Sequence, residues 1–108
     1  MKVEHAFDYE RLDVYRLAVE VNRWMGRAVF PRGRAALRDQ GLRAADAMVC
    51  NIAEGTCKRN GAGKNAMLIA LGEAGECCAV LDCVDLVGAQ EQQAKLRRVG
   101  AMLAKMSR

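Results

Sequence analysis

Apolar residues recur every three to four positions through four successive segments of this 108-residue chain, and this spacing constrains the fold more than any other feature. Such spacing is typical of amphipathic helices, and no segment shows the alternation of a half-buried strand. It predicts helices over residues 9–29, 34–54, 64–87 and 90–106. Long helices joined by short connections pack against their neighbours in sequence. We therefore expect one all-α domain over residues 1–108, an antiparallel up-down-up-down four-helix bundle.

Cap and turn residues mark the predicted ends of these helices. Asp8 stands where an N-cap of the first helix is expected, and Pro31 prevents that helix from continuing. Gly55 and Gly88 are expected to end the second and third helices, because glycine takes the left-handed closing conformation most easily. The glycine-containing segment 55–63 is the one stretch that predicts a flexible loop.

The predicted first helix carries more apolar surface than one bundle needs. Its charged residues fall within an arc of about 80° when successive residues are placed about 100° apart. Most of the remaining circumference is apolar, whereas a bundle helix needs a stripe of only about 100°. We therefore expect this helix to be buried twice, by its own bundle and by another subunit, which favours a homo-oligomer.

The other helices distribute their polar residues differently. Helix two has an ordinary core stripe that includes Ala44, Met48 and Ile52, and helix four is plainly amphipathic. Helix three has no clean polar face. Its acids are expected to find partners among the bases of helices two and four, because charges on a well-covered helix require them.

Residues suited to catalysis or metal binding are scarce. His5 is the only histidine, Thr56 and Ser107 are the only aliphatic hydroxyl residues, and the cysteines form no C-x-x-C pair. The bundle di-iron pattern requires histidines in the helices, and the loop at 61–65 lacks the residues of a phosphate-binding loop. We predict no catalytic residues, no metal and no cofactor, hence a non-enzymatic protein. The cysteines are expected to fill the core as small thiols; they are Cys50, Cys57, Cys77, Cys78 and Cys83.

Positive charge is unevenly distributed, although the net charge is only +4. Residues 65–88 carry four acids and no base, and lie between two segments that each have a net charge of +4. This pattern favours complementary contacts within or between subunits before any outside partner. The basic groups are also compatible with a nucleic-acid backbone as partner. With few aromatic residues available for stacking, any nucleic-acid binding is expected to be led by phosphate contacts. In an up-down bundle the bases collect at two ends: Arg32, Arg34, Arg38, Lys95, Arg97 and Arg98 at one, and Lys58, Arg59, Lys64, Lys105 and Arg108 at the other.

The simpler interpretation of these bases is a solvated charged surface, and it stays open beside the nucleic-acid interpretation.

No uncharged apolar run approaches the roughly 18 residues of a membrane span, and the chain opens without an apolar signal core. A cytoplasmic location without a membrane partner is expected.

Three motifs resemble a known family. They are Gln40-Gly41-Leu42-Arg43-Ala44-Ala45, Asn51-Ile52-Ala53-Glu54-Gly55, and Ile69-Ala70-Leu71-Gly72 followed by Glu76. Together they resemble the four-helix bundle protein family, also called the 23S rRNA intervening-sequence protein family. The resemblance covers about residues 7–88. Glu73 stands where that family usually has serine, and Met67 where it usually has an aromatic residue.

The resemblance implies an antiparallel four-helix bundle that commonly assembles as a ring-shaped homopentamer. Members of the family are encoded within rRNA intervening sequences or stand alone. A related branch, the accessory variability determinant of diversity-generating retroelements, is a basic pentamer that binds a reverse transcriptase and RNA. The partners implied for this chain are therefore other copies of itself, RNA or DNA, and a reverse transcriptase. The alternative is an interaction oligomer without nucleic-acid affinity.

Two interpretations of the Asn51–Gly55 segment remain open. A carboxylate in the last turn of a helix faces the negative end of the helix dipole, so Glu54 is locally unfavourable there. In the first interpretation, Asn51 and Glu54 tie the turn after helix two through local hydrogen bonds. In the second, Arg43 meets Glu54 or Glu76 in a network between subunits.

Overall fold

The computed structural model describes residues 7–58 and 60–108 and shows an all-helical chain. A short 3-10 helix, Asp8–Arg11, precedes four α-helices: α1 (Asp13–Arg27), α2 (Ala35–Cys57), α3 (Gly61–Asp82) and α4 (Ala89–Met106). Within the described ranges there is no strand. The predicted four-helix, all-α fold is confirmed.

Each α-helix packs against two others, in the order α1–α2–α3–α4 and back to α1. At least one side-chain polar contact joins each pair. The contacts include Asn22 Nδ2 to Asp46 Oδ1 at 2.8 Å, Gln40 Nε2 to Glu76 Oε1 at 3.0 Å, Gln93 Nε2 to Asp82 Oδ1 at 2.7 Å, and Lys95 Nζ to Glu20 Oε1 at 3.2 Å.

A single apolar cluster fills the space between the four helices. Its largest fully buried side chains include Met25 from α1, Met48 and Ile52 from α2, and Leu103 from α4. The predicted core stripe of α2 is therefore correct, because Ala44, Met48 and Ile52 are all buried.

The first helix begins later than predicted, and Asp8 does not cap it. Asp8 lies in the first turn of the 3-10 helix, in which Glu10 N–H donates to the Phe7 carbonyl. Leu12 then takes an extended conformation (φ −84°, ψ 133°) and makes no side-chain cap. Because an extended residue interrupts the helical hydrogen bonds, α1 starts anew at Asp13.

The prediction that Gly55 ends the second helix is wrong. Gly55 is buried inside α2, which continues to Cys57, and the glycines with positive φ in the described residues are Gly33 and Gly88. A Cβ atom at Gly55 would lie 2.9 Å from the Gly63 carbonyl oxygen and 2.9 Å from Met67 Cγ. Glycine is therefore required there for the close approach of α2 and α3.

The connection between α2 and α3 is shorter than the predicted loop 55–63. α3 begins at Gly61, because the Asn60 side chain caps it by accepting hydrogen bonds from Ala62 N (3.0 Å) and Gly63 N (3.3 Å). At its other end α3 stops at Asp82, five residues before the predicted end at residue 87. Gly88 does break the chain before α4, with φ of +90°.

Two predictions about burial need correction. α1 does not present excess apolar surface: its apolar residues are buried or half-buried in this one chain, and Val29 is exposed outside the helix. The cysteines do not all fill the core, since Cys77 is buried but Cys50, Cys57 and Cys83 are exposed. Burial raises the pKa of the Cys77 thiol to about 12, with smaller contributions from Cys78, Glu76 and Glu73.

Candidate nucleic-acid interface and assembly surface

The connection between α1 and α2 carries the first group of predicted bases. Arg32 and Arg34 lie in it and are exposed. Arg38, one turn into α2, is half-buried and donates from Nε to the Ala28 carbonyl (3.1 Å) and from Nη2 to the Gly26 carbonyl (3.0 Å). These carbonyls belong to the end of α1, where acceptors lack helical partners. Arg38 therefore holds α1 against α2, and its donors face the protein.

Arg27 was missed at this end of the bundle. It lines a depression of about 420 Å³ together with Arg32 and Arg38. The signal available in the sequence was a base in the last turn of α1, where a cation is favourable near the negative end of the helix dipole.

The bases of α4 divide into paired and unpaired residues. Lys95 is the more buried partner of an ion pair with Glu20 of α1, at 3.2 Å. Arg97 and Arg98 are exposed and have no ion-pair partner in the part of the chain that the structure describes. They lie near the middle of α4 rather than at the bundle end, because α4 extends from Ala89 to Met106.

The opposite end of the bundle carries the remaining bases. Lys58 is paired with Glu54 at 2.7 Å, and both side chains are about half exposed. Lys64 is exposed and lines a depression of about 220 Å³ with Lys58 and Met106. Lys105 and Arg108, at the end of α4, are also exposed, whereas Arg59 lies outside the described residues.

The polar residues of the Asn51–Gly55 segment make contacts within α2. Asn51 Nδ2 donates to the Ala47 carbonyl, one turn earlier, at 2.8 Å. Glu54 pairs with Lys58, whose backbone N–H also donates to the Glu54 carbonyl at 3.0 Å. A cation at the helix end compensates the unfavourable dipole at Glu54. Glu54 thus makes its contact at the end of α2, whereas the side chain of Asn51 hydrogen-bonds to the preceding turn of the same helix.

The predicted network of Arg43 is not formed within one chain. Arg43 is exposed on α2, and the described ion pairs do not include it. Glu76 instead accepts a hydrogen bond from Gln40, and Asp82 accepts one from Gln93. The acids of α3 were expected to meet bases of α2 and α4. In the described contacts these two meet side-chain amides, which satisfy a carboxylate at less desolvation cost than a second charge.

Glu73 and Glu76 form a carboxyl pair one turn apart on α3. Partial burial raises the pKa of Glu73 above its ordinary value, and the charge of Glu76 and a hydrogen bond between the two side chains raise it further. Glu73 therefore holds its proton more firmly than an isolated carboxyl group does.

Two large apolar side chains are exposed on α3, one (Met106) is exposed on α4, and none is exposed on α1. Leu68 and Ile69 are 52% and 43% exposed. Further along the helix, Gly72 and Gly75 are exposed and would tolerate a Cβ atom, because nothing lies within 4 Å of it. The sequence signal for this surface was the absence of a clean polar face on helix three.

The described residues contain no group of three or more histidine, cysteine, aspartate or glutamate side chains arranged to hold a metal ion. None of the helices in those residues combines the length and apolar character needed to cross a membrane.

No model of a known protein family matches the chain, and no curated protein sequence matches it.

Proposed function

We propose that this protein is a non-enzymatic, homo-oligomeric scaffold that binds the backbone of RNA or DNA through exposed basic side chains. The observation that carries the proposal is a set of exposed bases without an ion-pair partner among the described residues. Among the bases that the sequence placed in the two basic groups, this set, the unpaired bases, comprises Arg32, Arg34, Lys64, Arg97, Arg98, Lys105 and Arg108. Such side chains can meet phosphate groups and release counterions without first breaking a contact within the chain.

The proposed bundle is antiparallel. Support comes from where neighbouring helices meet: α2 contacts α3 through Gln40 and Glu76 near the start of α2, and through Gly55 and Gly63 near its end. The early part of one helix thus lies beside the late part of the next. The unpaired bases at the two ends of such a bundle are therefore separated by a helix length.

The proposed assembly uses the exposed apolar face of α3. Glycine inside a helix costs about 1 kcal/mol relative to alanine. At Gly72 and Gly75 nothing within the described residues requires the absence of a side chain. Close approach of a helix from another subunit would offset that cost and would cover Leu68 and Ile69. The number of five subunits and the ring shape rest on the family resemblance alone.

A role as accessory to the reverse transcriptase of a diversity-generating retroelement also rests on that resemblance. The physical support is general: a ring repeats each group of unpaired bases, and repeated contacts to one RNA raise its affinity steeply. The proposed location is the cytoplasm, where such an RNA and enzyme would be met.

Fluorescence anisotropy with a labelled structured RNA tests nucleic-acid binding. We expect binding at about 50 mM salt and a loss of roughly a hundredfold or more at about 200 mM, because several phosphate contacts release counterions together. An unlabelled RNA of different sequence should compete nearly equally, since backbone contacts carry little sequence information. Absence of binding at the lower salt concentration would reject the proposal.

A second candidate is an interaction oligomer without nucleic-acid affinity, encoded near or within an rRNA intervening sequence. Its support is that Arg38, Lys58 and Lys95 are held by contacts within the chain, while α3 presents an apolar face suited to protein. Assembly in solution without any RNA binding at low salt would favour this candidate.

A further inference from the structure

Two connections expose valine side chains at the same end of the bundle. Val29, between α1 and α2, is 85% exposed, and Val87, between α3 and α4, is fully exposed. Both line one depression of about 340 Å³, together with Trp24, Leu86 and Arg27. Exposed valines are unremarkable singly, but two that share a depression with tryptophan and leucine form an apolar patch that a partner can cover.

The charges beside this patch have opposite signs on its two sides. Arg27 lines the depression and also lines a neighbouring one with Arg32. On the other side, Leu86 and Val87 form part of a depression of about 560 Å³ that includes Asp82 and Asp85. Asp82 is already bonded to Gln93, whereas Asp85 is exposed. The pair Leu86–Val87, which we name the end ridge, thus separates a basic flank from an acidic flank.

We propose that two copies of this chain dock end to end through the end ridge. In a two-fold contact the basic flank of each copy faces the acidic flank of the other, so that Arg27 meets Asp85 twice. The valines and Trp24 are covered at the centre. At the end ridge a second copy fits better than an acidic peptide or a nucleic acid, because either of these would match Arg27 but leave Asp85 facing a like charge.

The proposed contact is small. A stable interface buries about 1,200 Å² or more in total, and a patch built from two connections provides less. We therefore expect weak, salt-sensitive association of single subunits, which becomes tighter when several end ridges act together in an oligomer. The contact at the end ridge includes no residue of the α3 face and would form whether or not the protein binds nucleic acid.

Sedimentation velocity over a range of concentrations tests this contact in isolation. The parent variant is Leu68→Ser/Ile69→Ser, in which the α3 face is no longer apolar and should not contribute to self-association. In that background Arg27→Asp and Asp85→Arg should each weaken self-association by about tenfold or more, because each places like charges together. The double variant Arg27→Asp/Asp85→Arg should return to within about threefold of the parent, because the swapped charges again pair across the two-fold axis.

Lys105→Asp, at the far end of α4, supplies a charge-matched control that should leave association unchanged. The single tryptophan gives a second signal, since its emission should shift to the blue with protein concentration and should not shift in Val87→Asp. Circular dichroism confirms that each variant stays helical. A monomeric parent at the highest concentration, or a double variant no better than the single ones, would overturn the proposal.

Discussion

Gly55 and Gly72 are both helical glycines, but their surroundings differ in the space left for a side chain. At Gly55 the helices approach so closely that a Cβ atom would press on the backbone oxygen of Gly63 and on Met67. At Gly72 the same atom would meet open space. The first glycine is explained by packing within the chain, whereas no contact within the described residues explains the second.

Gly55→Ala should destabilise the protein. A backbone oxygen at 2.9 Å cannot swing away as a side chain can, so α2 and α3 must separate. Overpacking of this kind costs about 1–3 kcal/mol, which exceeds the gain in helix propensity of about 1 kcal/mol. Urea unfolding followed by circular dichroism measures the change. An equal or higher unfolding free energy would show that the two helices are not held together at this point.

Gly72→Ala should do the reverse. It should stabilise an isolated subunit by about 1 kcal/mol through helix propensity, while weakening self-association by filling the space that a neighbouring helix needs. Gly26→Ala is the matched control, because a Cβ atom there also meets open space, but on α1. Unchanged association in Gly72→Ala would remove the main argument for close helix approach at α3.

The carboxyl pair on α3 predicts a pH dependence with a definite sign. Because burial and Glu76 raise the pKa of Glu73 in the folded state, the folded protein holds its proton more firmly than the unfolded chain does. The stability from this group is complete below its ordinary pKa of 4.5 and is lost as pH rises through the raised value. Glu73→Gln should therefore be more stable than the parent at pH 7 and equal to it near pH 4. A difference that does not vary with pH would contradict this.

Glu54→Ala should change the stability of the subunit little. The pair with Lys58 is half exposed, and exposed helix pairs contribute about 0.3–0.5 kcal/mol. Removing an acid from the last turn also removes its repulsion by the negative end of the helix dipole, which offsets part of the lost stability. A large fall in sedimentation coefficient without a change in unfolding free energy would instead place Glu54 in an interface between subunits.

At the scale of the helix, α3 differs from the other three in what it leaves uncovered. α1 buries Val14, Val21 and Met25 against its own bundle, so its apolar surplus is absorbed within the chain. α3 buries its own core residues but leaves Leu68 and Ile69 exposed. Further along the helix, a Cβ atom at Gly72 or Gly75 would have no neighbour within 4 Å. Assembly is therefore expected to depend on α3.

Leu68→Ser and Ile69→Ser, singly and together, should reduce self-association measured by light scattering coupled to size exclusion, with little loss of unfolding free energy because both side chains are half exposed. Met106→Ser is the control, since Met106 is similarly exposed (40%) on α4. If Met106→Ser reduces association as much as the α3 variants do, the apolar face of α3 has no special role.

The number and type of helices could be predicted from sequence because apolar spacing reflects burial against any core. Several helix ends could not, since they depend on tertiary contacts: α2 passes through Gly55 only because α3 lies beside it, and Asn60 caps α3 where loop composition alone predicted a longer connection. The sequence identified the basic residues, but it could not show that Arg38 and Lys95 make contacts within the chain. Each depends on a partner more than nine residues away in the chain.

At the scale of the whole molecule, we expect the pairing of a base, rather than its charge alone, to decide whether that base contacts nucleic acid. Arg97 and Arg98 are unpaired, whereas Lys58 and Lys95 are held by Glu54 and Glu20. Replacing either pair of residues by glutamine lowers the net charge equally. The two double variants therefore separate specific phosphate contacts from a general attraction between a basic protein and RNA.

The most direct test compares Arg97→Gln/Arg98→Gln with Lys58→Gln/Lys95→Gln in anisotropy titrations with one structured RNA over a series of salt concentrations. We predict that the first variant loses affinity by about tenfold or more. Its affinity should also depend less steeply on salt, by the equivalent of about one to two phosphate contacts, because fewer contacts release fewer counterions. The second should stay within about threefold of the unmodified protein. Equal effects of the two variants, or no binding by the unmodified protein at low salt, would contradict the account.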